Sequence, residues 1–282
     1  MEFEDDLNEK EIRDEWRRLQ SAIEKKRAEP PKVIRMFSNW EKYAGIAASC
    51  ALIALVTLLF TGRPSYTAYA TGNAEQRPVR LPDGSLAVLN ANSSIKFKSS
   101  WEKQGPREVE IDGEAFFSVV HTPDGREFFV RTGSGMQVEV LGTEFSVYER
   151  RGMQRVVLSS GSVRLQYAGL AGSEPMLMEP GEMISREGPM SKPERLKVDA
   201  ARYSSWISGL LVFEDTPLFE VCRIMEDNFG VEVRLADTSL ENRLFNGTFP
   251  ADSAAVLLKA LVTTYDLRAA RPEGGVVELQ KK

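Results

Sequence analysis

Residues 107–132 run REVEIDGEAFFSVVHTPDGREFFVRT, and the fold class follows from how they alternate. Val109 and Ile111 alternate with acids as far as Asp112-Gly113, which predicts a break there. Phe117 with Val119, and Phe128 with Val130, flank a turn from His121 to Gly125. A period of two places every second side chain on one face, the pattern of a half-buried strand. Thr122-Pro123-Asp124-Gly125 turns for a mechanical reason: Pro presets φ, Asp bonds its neighbouring backbone and Gly accepts a positive φ.

The pattern extends both ways. Val79-Arg80-Leu81 leads into Pro82-Asp83-Gly84, and Leu86, Val88 and Leu89 follow. Downstream come Met136, Val138 and Val140, then Phe145 with Val147, Val156 with Leu158, and Val163 with Leu165. Short alternating runs with frequent turn signals predict an all-β unit whose apolar residues form the core. After Gly188, Pro189, Pro193 and a mixed-charge stretch to Ser205 predict a linker. Helical spacing then appears in Leu218, Val221, Cys222, Met225 and Phe229, between Thr216-Pro217 as a start and Gly230 as a stop. Asp252 is placed to cap a second helix with Ala254, Leu257, Leu258 and Leu261 inward. With strands around them, these helices predict a small α+β module of order β-α-β, β-α-β-β.

Upstream, no charged residue occurs from Tyr43 to Gly62. About 20 residues at about 1.5 Å each match the roughly 30 Å hydrocarbon core of a bilayer. Trp40, Tyr43, Tyr66 and Tyr69 suit its interfaces. Ala68-Tyr69-Ala70 resembles a signal-peptide cleavage site, but the apolar run is long and 42 residues precede it, so a retained anchor is expected. Lys25, Lys26, Arg27, Lys32, Arg35 and Lys42 outweigh Arg63, Arg77 and Arg80, which puts the N-terminus in the cytoplasm. The expected organisation is a cytoplasmic tail (1–42), a single transmembrane helix (43–62), a mainly-β domain across the membrane (63–185), a linker (186–205) and the α+β module (206–282).

Composition excludes several functions. A net charge of −5 leaves no basic face for direct nucleic-acid binding. With 42% hydrophobic and 27% charged residues the chain is globular in composition. Cys50 in the apolar run and Cys222 at a core position are not expected to bridge. A single histidine, His121, without paired cysteines offers no zinc or copper site, and no cofactor is implied. Nothing around His121 resembles a nucleophile elbow, so a conventional enzyme is not expected. Asp112 with Glu114 is the carboxylate pair one would nominate for a hydrolase, but both read as solvated turn acids. In the tail, Ile12, Trp16, Leu19 and Ile23 fall at i, i+4, i+7 and i+11, an apolar stripe suited to a groove in a partner. A helix lying on the inner membrane surface, held by Arg17, Arg18, Lys25 and Lys26, is the competing use of that stripe.

Ordered motifs resemble a known family. Leu81-Pro82-Asp83-Gly84-Ser85, Val88-Leu89-Asn90, Arg107-Glu108-Val109 and Gly113-Glu114-Ala115-Phe116-Phe117 are similar to the FecR-type periplasmic domain. Val140-Leu141-Gly142-Thr143-Glu144-Phe145-Ser146-Val147, Gly161-Ser162-Val163 and Pro180-Gly181-Glu182 continue it in order. Trp206, Gly209, Phe213, Pro217-Leu218 and Gly247-Thr248-Phe249 resemble the module that often follows, which is similar to the N-terminal domains of secretins and TonB-dependent transducers.

The resemblance implies a single-pass inner-membrane anti-sigma factor. An outer-membrane TonB-dependent receptor would contact its periplasmic region through a signalling domain, and the tail would hold an extracytoplasmic-function sigma factor at Ile12, Trp16, Leu19 and Ile23. Envelope proteases are further implied partners. Many members carry a longer cytoplasmic helical domain, of which Glu15-Trp16-Arg17-Arg18-Leu19 resembles the end. A membrane-tethered envelope adaptor, binding a secretion or glycan-uptake complex, is the alternative; it needs no binding face in the tail. The resemblance also implies a candidate self-cleavage site at Gly142-Thr143. There the Thr143 hydroxyl would attack the Gly142 carbonyl, and water would hydrolyse the resulting ester. The structural alternative is that Gly142 marks a bulge and Thr143 is an ordinary strand residue.

Overall fold

The computed structural model describes residues 9–28, 40–61, 65–101, 105–167, 174–270 and 275–282. Lys32, Arg35 and Arg63, used above for orientation, lie outside the described residues, as do the side chains of Trp40 and Lys42. The chain forms two compact units, Met1–Arg63 and Pro64–Lys282.

The first unit holds α1 (Glu9–Ala28) and α2 (Trp40–Thr61). Strong helix formers fill α1, and Lys25, Lys26 and Arg27 in its last turn complement the negative end of the helix dipole. Along α2 apolar residues predominate. Among the described residues no helix is long and apolar enough to cross a membrane; the side chains described on α2 run from Tyr43 to Val56.

The second unit opens with β1 (Tyr66–Ala70), β2 (Arg77–Arg80), β3 (Leu86–Leu89), β4 (Ser94–Lys98) and β5 (Arg107–Ser118). Next come β6 (Phe128–Thr132), β7 (Met136–Val140), β8 (Glu144–Arg150) and β9 (Met153–Ser160). The last four are β10 (Val163–Tyr167), β11 (Met176–Met178), β12 (Glu182–Glu187) and β13 (Glu194–Lys197). All 13 belong to one sheet, and β5 is its pivot. Its first half pairs with β4 and, in parallel, with β6; its second half pairs with β3 and β8. The bend falls at Gly113, φ 97°, where a Cβ would lie 2.8 Å from Ser93 Cα. Asp112-Gly113 is therefore a corner inside one 12-residue strand and not the break expected. A glycine inside a strand serves such corners because only it tolerates that φ beside a close backbone. Nor do the runs flanking the His121–Gly125 turn pair with each other, because the chain crosses back to set Phe128 opposite Arg107.

Folding at β5 closes the two halves over one core. Phe117 is the hub: its ring stacks on Phe145 at 5.2 Å and meets Phe128 edge-on at 6.1 Å. Val79, Leu81, Val109, Ile111, Val138, Val156, Leu158, Val163 and Leu165 fill the rest, so the period-two reading of core positions holds.

Residues 186–205, expected as a linker, carry structure. Pro189 and Pro193 bracket a reversal, and β13 returns antiparallel on β12 from Glu182↔Lys197 to Ser185↔Glu194. All four β13 residues are exposed, so no apolar alternation marked them as a strand. A short helix, α3 (Ala200–Ser204), follows, its first turn capped by the Asp199 carboxylate accepting from the Ala201 amide.

The remainder is β14 (Leu210–Pro217), α4 (Leu218–Phe229), β15 (Val233–Leu235), β16 (Leu244–Pro250), α5 (Ala254–Thr264), β17 (Leu267–Ala270) and β18 (Val277–Lys281), in the β-α-β, β-α-β-β order expected. Gly230 closes α4 at φ 64°. Both helix starts shift by one residue: Pro217 is the cap of α4, and Ser253, not Asp252, precedes α5. The Thr216 hydroxyl is instead held by Arg202 at 2.7 Å. Val88 of β3 belongs to this module's core, with Leu86 and Phe116 packed against it, so the module rests on the outer face of the β-domain.

Candidate functional site

On α1 the four residues of the apolar stripe remain uncovered among the described residues: Ile12 is 43%, Trp16 61%, Leu19 55% and Ile23 55% exposed. A helix that presents a tryptophan and three branched aliphatic residues on one face is ready for a groove or an interface. Asp14 and Arg17 support the helix through an ion pair at 3.6 Å.

Gly142 and Thr143 lie where three stretches of backbone converge. Thr143 is buried, and its Oγ1 donates to the Ser162 carbonyl at 2.9 Å. A Cβ on Gly142 would lie 2.7 Å from that of His121, and one on Gly161 would lie 2.8 Å from the Gly142 carbonyl oxygen. Glycine is required here for close approach. The bulge expected at Gly142 falls instead between Glu144 and Phe145, against β9. A shallow cavity of about 240 Å³ brings His121, Glu139, Gly142, Thr143, Ser162 and Arg164 together. Sequence alone did not connect the histidine to this motif.

Arg107 and Asp83 form a buried ion pair. Arg107 Nη1 donates to Asp83 Oδ2 at 2.7 Å, with the two side chains 0% and 2% exposed. The guanidinium also donates to the carbonyls of Val120, Arg126 and Leu141 at 2.8, 2.6 and 3.1 Å. Asp83 accepts from the Ser85 amide at 2.9 Å, as its turn role requires, and from the Ser85 hydroxyl at 2.7 Å. One arginine thus ties the 82–84 turn, the His121–Gly125 turn and the peptide before Gly142 together.

The expected pair of solvated acids does not form. Asp112 is exposed, whereas Glu114 is half-buried and accepts from Asn90 at 2.7 Å. Burial raises the Glu114 carboxyl above its ordinary range, with Arg155 and the Asn90 hydrogen bond pulling the other way. Beside it the two modules meet through Tyr148, Arg150, Arg151 and Arg155 on β8, β9 and their turn, and Glu220, Glu226 and Asp227 on α4. These residues were missed in the sequence. The available signal was Arg151-Gly152 between two alternating runs, which reads as a two-residue hairpin turn.

Cys50 and Cys222 are both free, and burial pushes the Cys222 thiol up to about 11. Among the described residues, no three His, Cys, Asp or Glu side chains are grouped to share a metal ion.

A bent-strand β-domain carrying a small βαβ-βαββ module on its outer face, after two helices, defines the architecture. Residues 67–164 match the FecR protein family and residues 210–277 match the FecR C-terminal family. Among solved structures, two crystal structures of a candidate anti-sigma factor from Parabacteroides distasonis ATCC 8503 are similar to this chain. Each is 27% identical and covers 77% of this chain and 99% of its own, with TM-scores of 0.64 and 0.66. No curated protein matches. With both domains present in order, over more than half of its length, the chain belongs to the FecR family.

Proposed function

We propose that the protein is a single-pass membrane anti-sigma factor. Its tail holds an extracytoplasmic-function sigma factor in the cytoplasm, and its Pro64–Lys282 unit faces the periplasm and receives a TonB-dependent receptor's signalling domain. The observation that carries this reading is the uncovered stripe Ile12, Trp16, Leu19 and Ile23 on α1, in a chain of the FecR family. Its likeness to a candidate anti-sigma factor from Parabacteroides distasonis supports the same role. An envelope adaptor has no use for such a stripe. The full chain, tagged at its N-terminus and captured from cells, is expected to bring down a sigma factor; a capture without one overturns the reading.

Topology is tested separately. The uncharged run Tyr43–Gly62 with its basic N-terminal flank supports the orientation. A reporter active only outside the cytoplasm is expected to work when fused after Ser65, and one active only inside to work at the N-terminus. The reverse pattern ends the reading.

A second event rests on His121 beside Gly142, in the cavity that Thr143 shares. Single-turnover self-cleavage would begin with attack of Thr143 Oγ1 on the Gly142 carbonyl carbon, its proton passing to the histidine. The histidine returns that proton to the nitrogen as the C–N bond breaks, which frees the Thr143 amine, and water then splits the ester to leave a Gly142 carboxylate and the Thr143 hydroxyl. The hydroxyl must first leave the Ser162 carbonyl. Mass spectrometry of the denatured full chain is expected to show two fragments meeting at Gly142/Thr143, lost in Thr143→Ala and kept in Thr143→Ser. A single intact mass after long incubation disposes of it.

A further inference from the structure

The seam between the β-domain and the C-terminal module is built unlike the cores on either side. Asp227, in the last turn of α4, is only 6% exposed. Its Oδ2 accepts the Tyr148 hydroxyl at 2.7 Å, and its Oδ1 pairs with Arg151. Its backbone carbonyl accepts from Arg150 at 3.2 Å and from Asn92 at 3.0 Å. Four donors from three places in the β-domain close on one residue. Arg151 also reaches Glu226 at 2.9 Å. Nearby, Arg155 of β9 is flanked by the Tyr148 ring at 4.7 Å and the Tyr203 ring of α3 at 4.9 Å, and reaches Glu220 of α4 at 3.8 Å.

Backbone strain marks the same place. Arg151 and Gly152 form the two-residue turn between Arg150 and Met153, with φ of 49° and 80°. Both central residues of such a turn sit in the left-handed region, where asparagine, aspartate or glycine is the ordinary choice. An arginine there is strained, and the side chain so placed is the one that grips Asp227. Burial and the neighbouring Asp227 push the Tyr148 hydroxyl upward, so it stays a donor.

The seam is also incompletely closed. A solvent-open cleft of about 370 Å³ enters the seam among Arg150, Met153, Met183, Tyr203, Phe219 and Ile224. Among the described residues, the buried Arg150 Nε finds no hydrogen-bond partner. Apolar contact across the seam comes from Val88, Leu86 and Phe116. Polar pairing around an open cleft is the character of surfaces that dock and separate, not of one continuous core.

We propose that the C-terminal module docks reversibly on the β-domain, that the Asp227 clasp is its release catch, and that release is the step by which a partner on the module affects the rest of the chain. Only the last clause rests on the anti-sigma reading. With the carboxylate gone, Arg151 loses its buried counter-charge and keeps only the more exposed Glu226 to hold its strained turn against α4.

Hydrogen exchange on the full chain in micelles tests the catch alone. Asp227→Asn is expected to speed exchange at least tenfold at residues 226–230 and at Ala74, whose amide donates to Asn228 across the seam at 2.6 Å. The β-core amides of Ile111, Phe117 and Val147 should keep their protection. Unchanged exchange at the seam overturns the proposal, and so does acceleration throughout the core. The converse arm locks the seam with the pair Asn73→Cys and Gly230→Cys, since a Cβ at Gly230 would lie 2.8 Å from Asn73 Cγ. Each single cysteine serves as the control for strain at Gly230. The oxidised pair is expected to abolish induction of the target genes in cells and the reduced pair to restore it. Wild-type induction through a locked seam overturns the release step while leaving the regulator reading intact. Deleting the gene separates the two: unchanged transcription removes the regulator reading, and the exchange result still decides the catch.

Discussion

Asp83→Ala is expected to destabilise the β-domain by about 3–5 kcal/mol, because it leaves the Arg107 guanidinium charged and fully buried without its counter-ion. For a unit of this size that corresponds to a fall of about 6–20 °C in the unfolding midpoint. The loss is more than one pair. Arg107 holds the carbonyls of Val120, Arg126 and Leu141, and a guanidinium that seeks solvent releases all three. Asp83→Asn keeps one acceptor oxygen, enough for the Ser85 amide, and should lose less. Arg107→Lys should lose nearly as much as Asp83→Ala, since one ammonium cannot reproduce a planar fork bonded to four oxygens. The double variant Asp83→Leu with Arg107→Met removes both charges and should recover part of the loss, although three carbonyls stay unmatched. Thermal unfolding followed by far-UV circular dichroism reads all four. An Asp83→Ala midpoint within about 2 °C of wild type would show that water reaches the arginine and that the pair is not buried in the working protein.

That pair also shows what the sequence could and could not disclose. Pro82-Asp83-Gly84 and Arg107-Glu108-Val109 are visible as motifs, and the turn chemistry of Asp83 is legible from its neighbours. Their contact is not, because it depends on β5 bending so that Arg107 at its start lies beside Val120 past its end and the turn before β3. The same holds for Gly142-Thr143 with Gly161-Ser162, and for His121 beside both. Period-two alternation identified the core because burial acts residue by residue along a strand. The break expected at Gly113 did not occur, because the strand bends there with its alternation unbroken, and alternation missed β13, where every side chain is exposed. Helical spacing placed α4 and α5 well but missed each start by one residue, as caps depend on local backbone angles. The clasp at Asp227 left almost no trace. A lone aspartate near a helix end carries no pattern, and its partners come from β8, the following turn and Asn92.

Trp16→Ala is expected to weaken sigma-factor binding by about 2 kcal/mol or more, roughly a 30-fold rise in dissociation constant, with derepression of the target genes in cells. The expectation starts from exposure. Trp16 is 61% exposed on α1, at the centre of a stripe with Ile12, Leu19 and Ile23. Tryptophan loses little conformational entropy for the apolar area it buries, and so anchors helices in grooves. Ile12→Ala and Ile23→Ala, at the ends of the stripe, should cost less. A helix on the inner membrane surface would use the same stripe, with Arg17, Arg18, Lys25 and Lys26 facing anionic lipid. The two uses respond differently to charge. Lys25→Glu with Lys26→Glu should lower affinity for anionic vesicles in either case, yet leave sigma-factor capture largely intact if Trp16 sits in a protein groove. Capture with the full-length chain, together with target transcription, is the deciding pair of measurements. Unchanged capture and unchanged transcription in Trp16→Ala would assign the stripe to the membrane and leave the tail without its proposed partner.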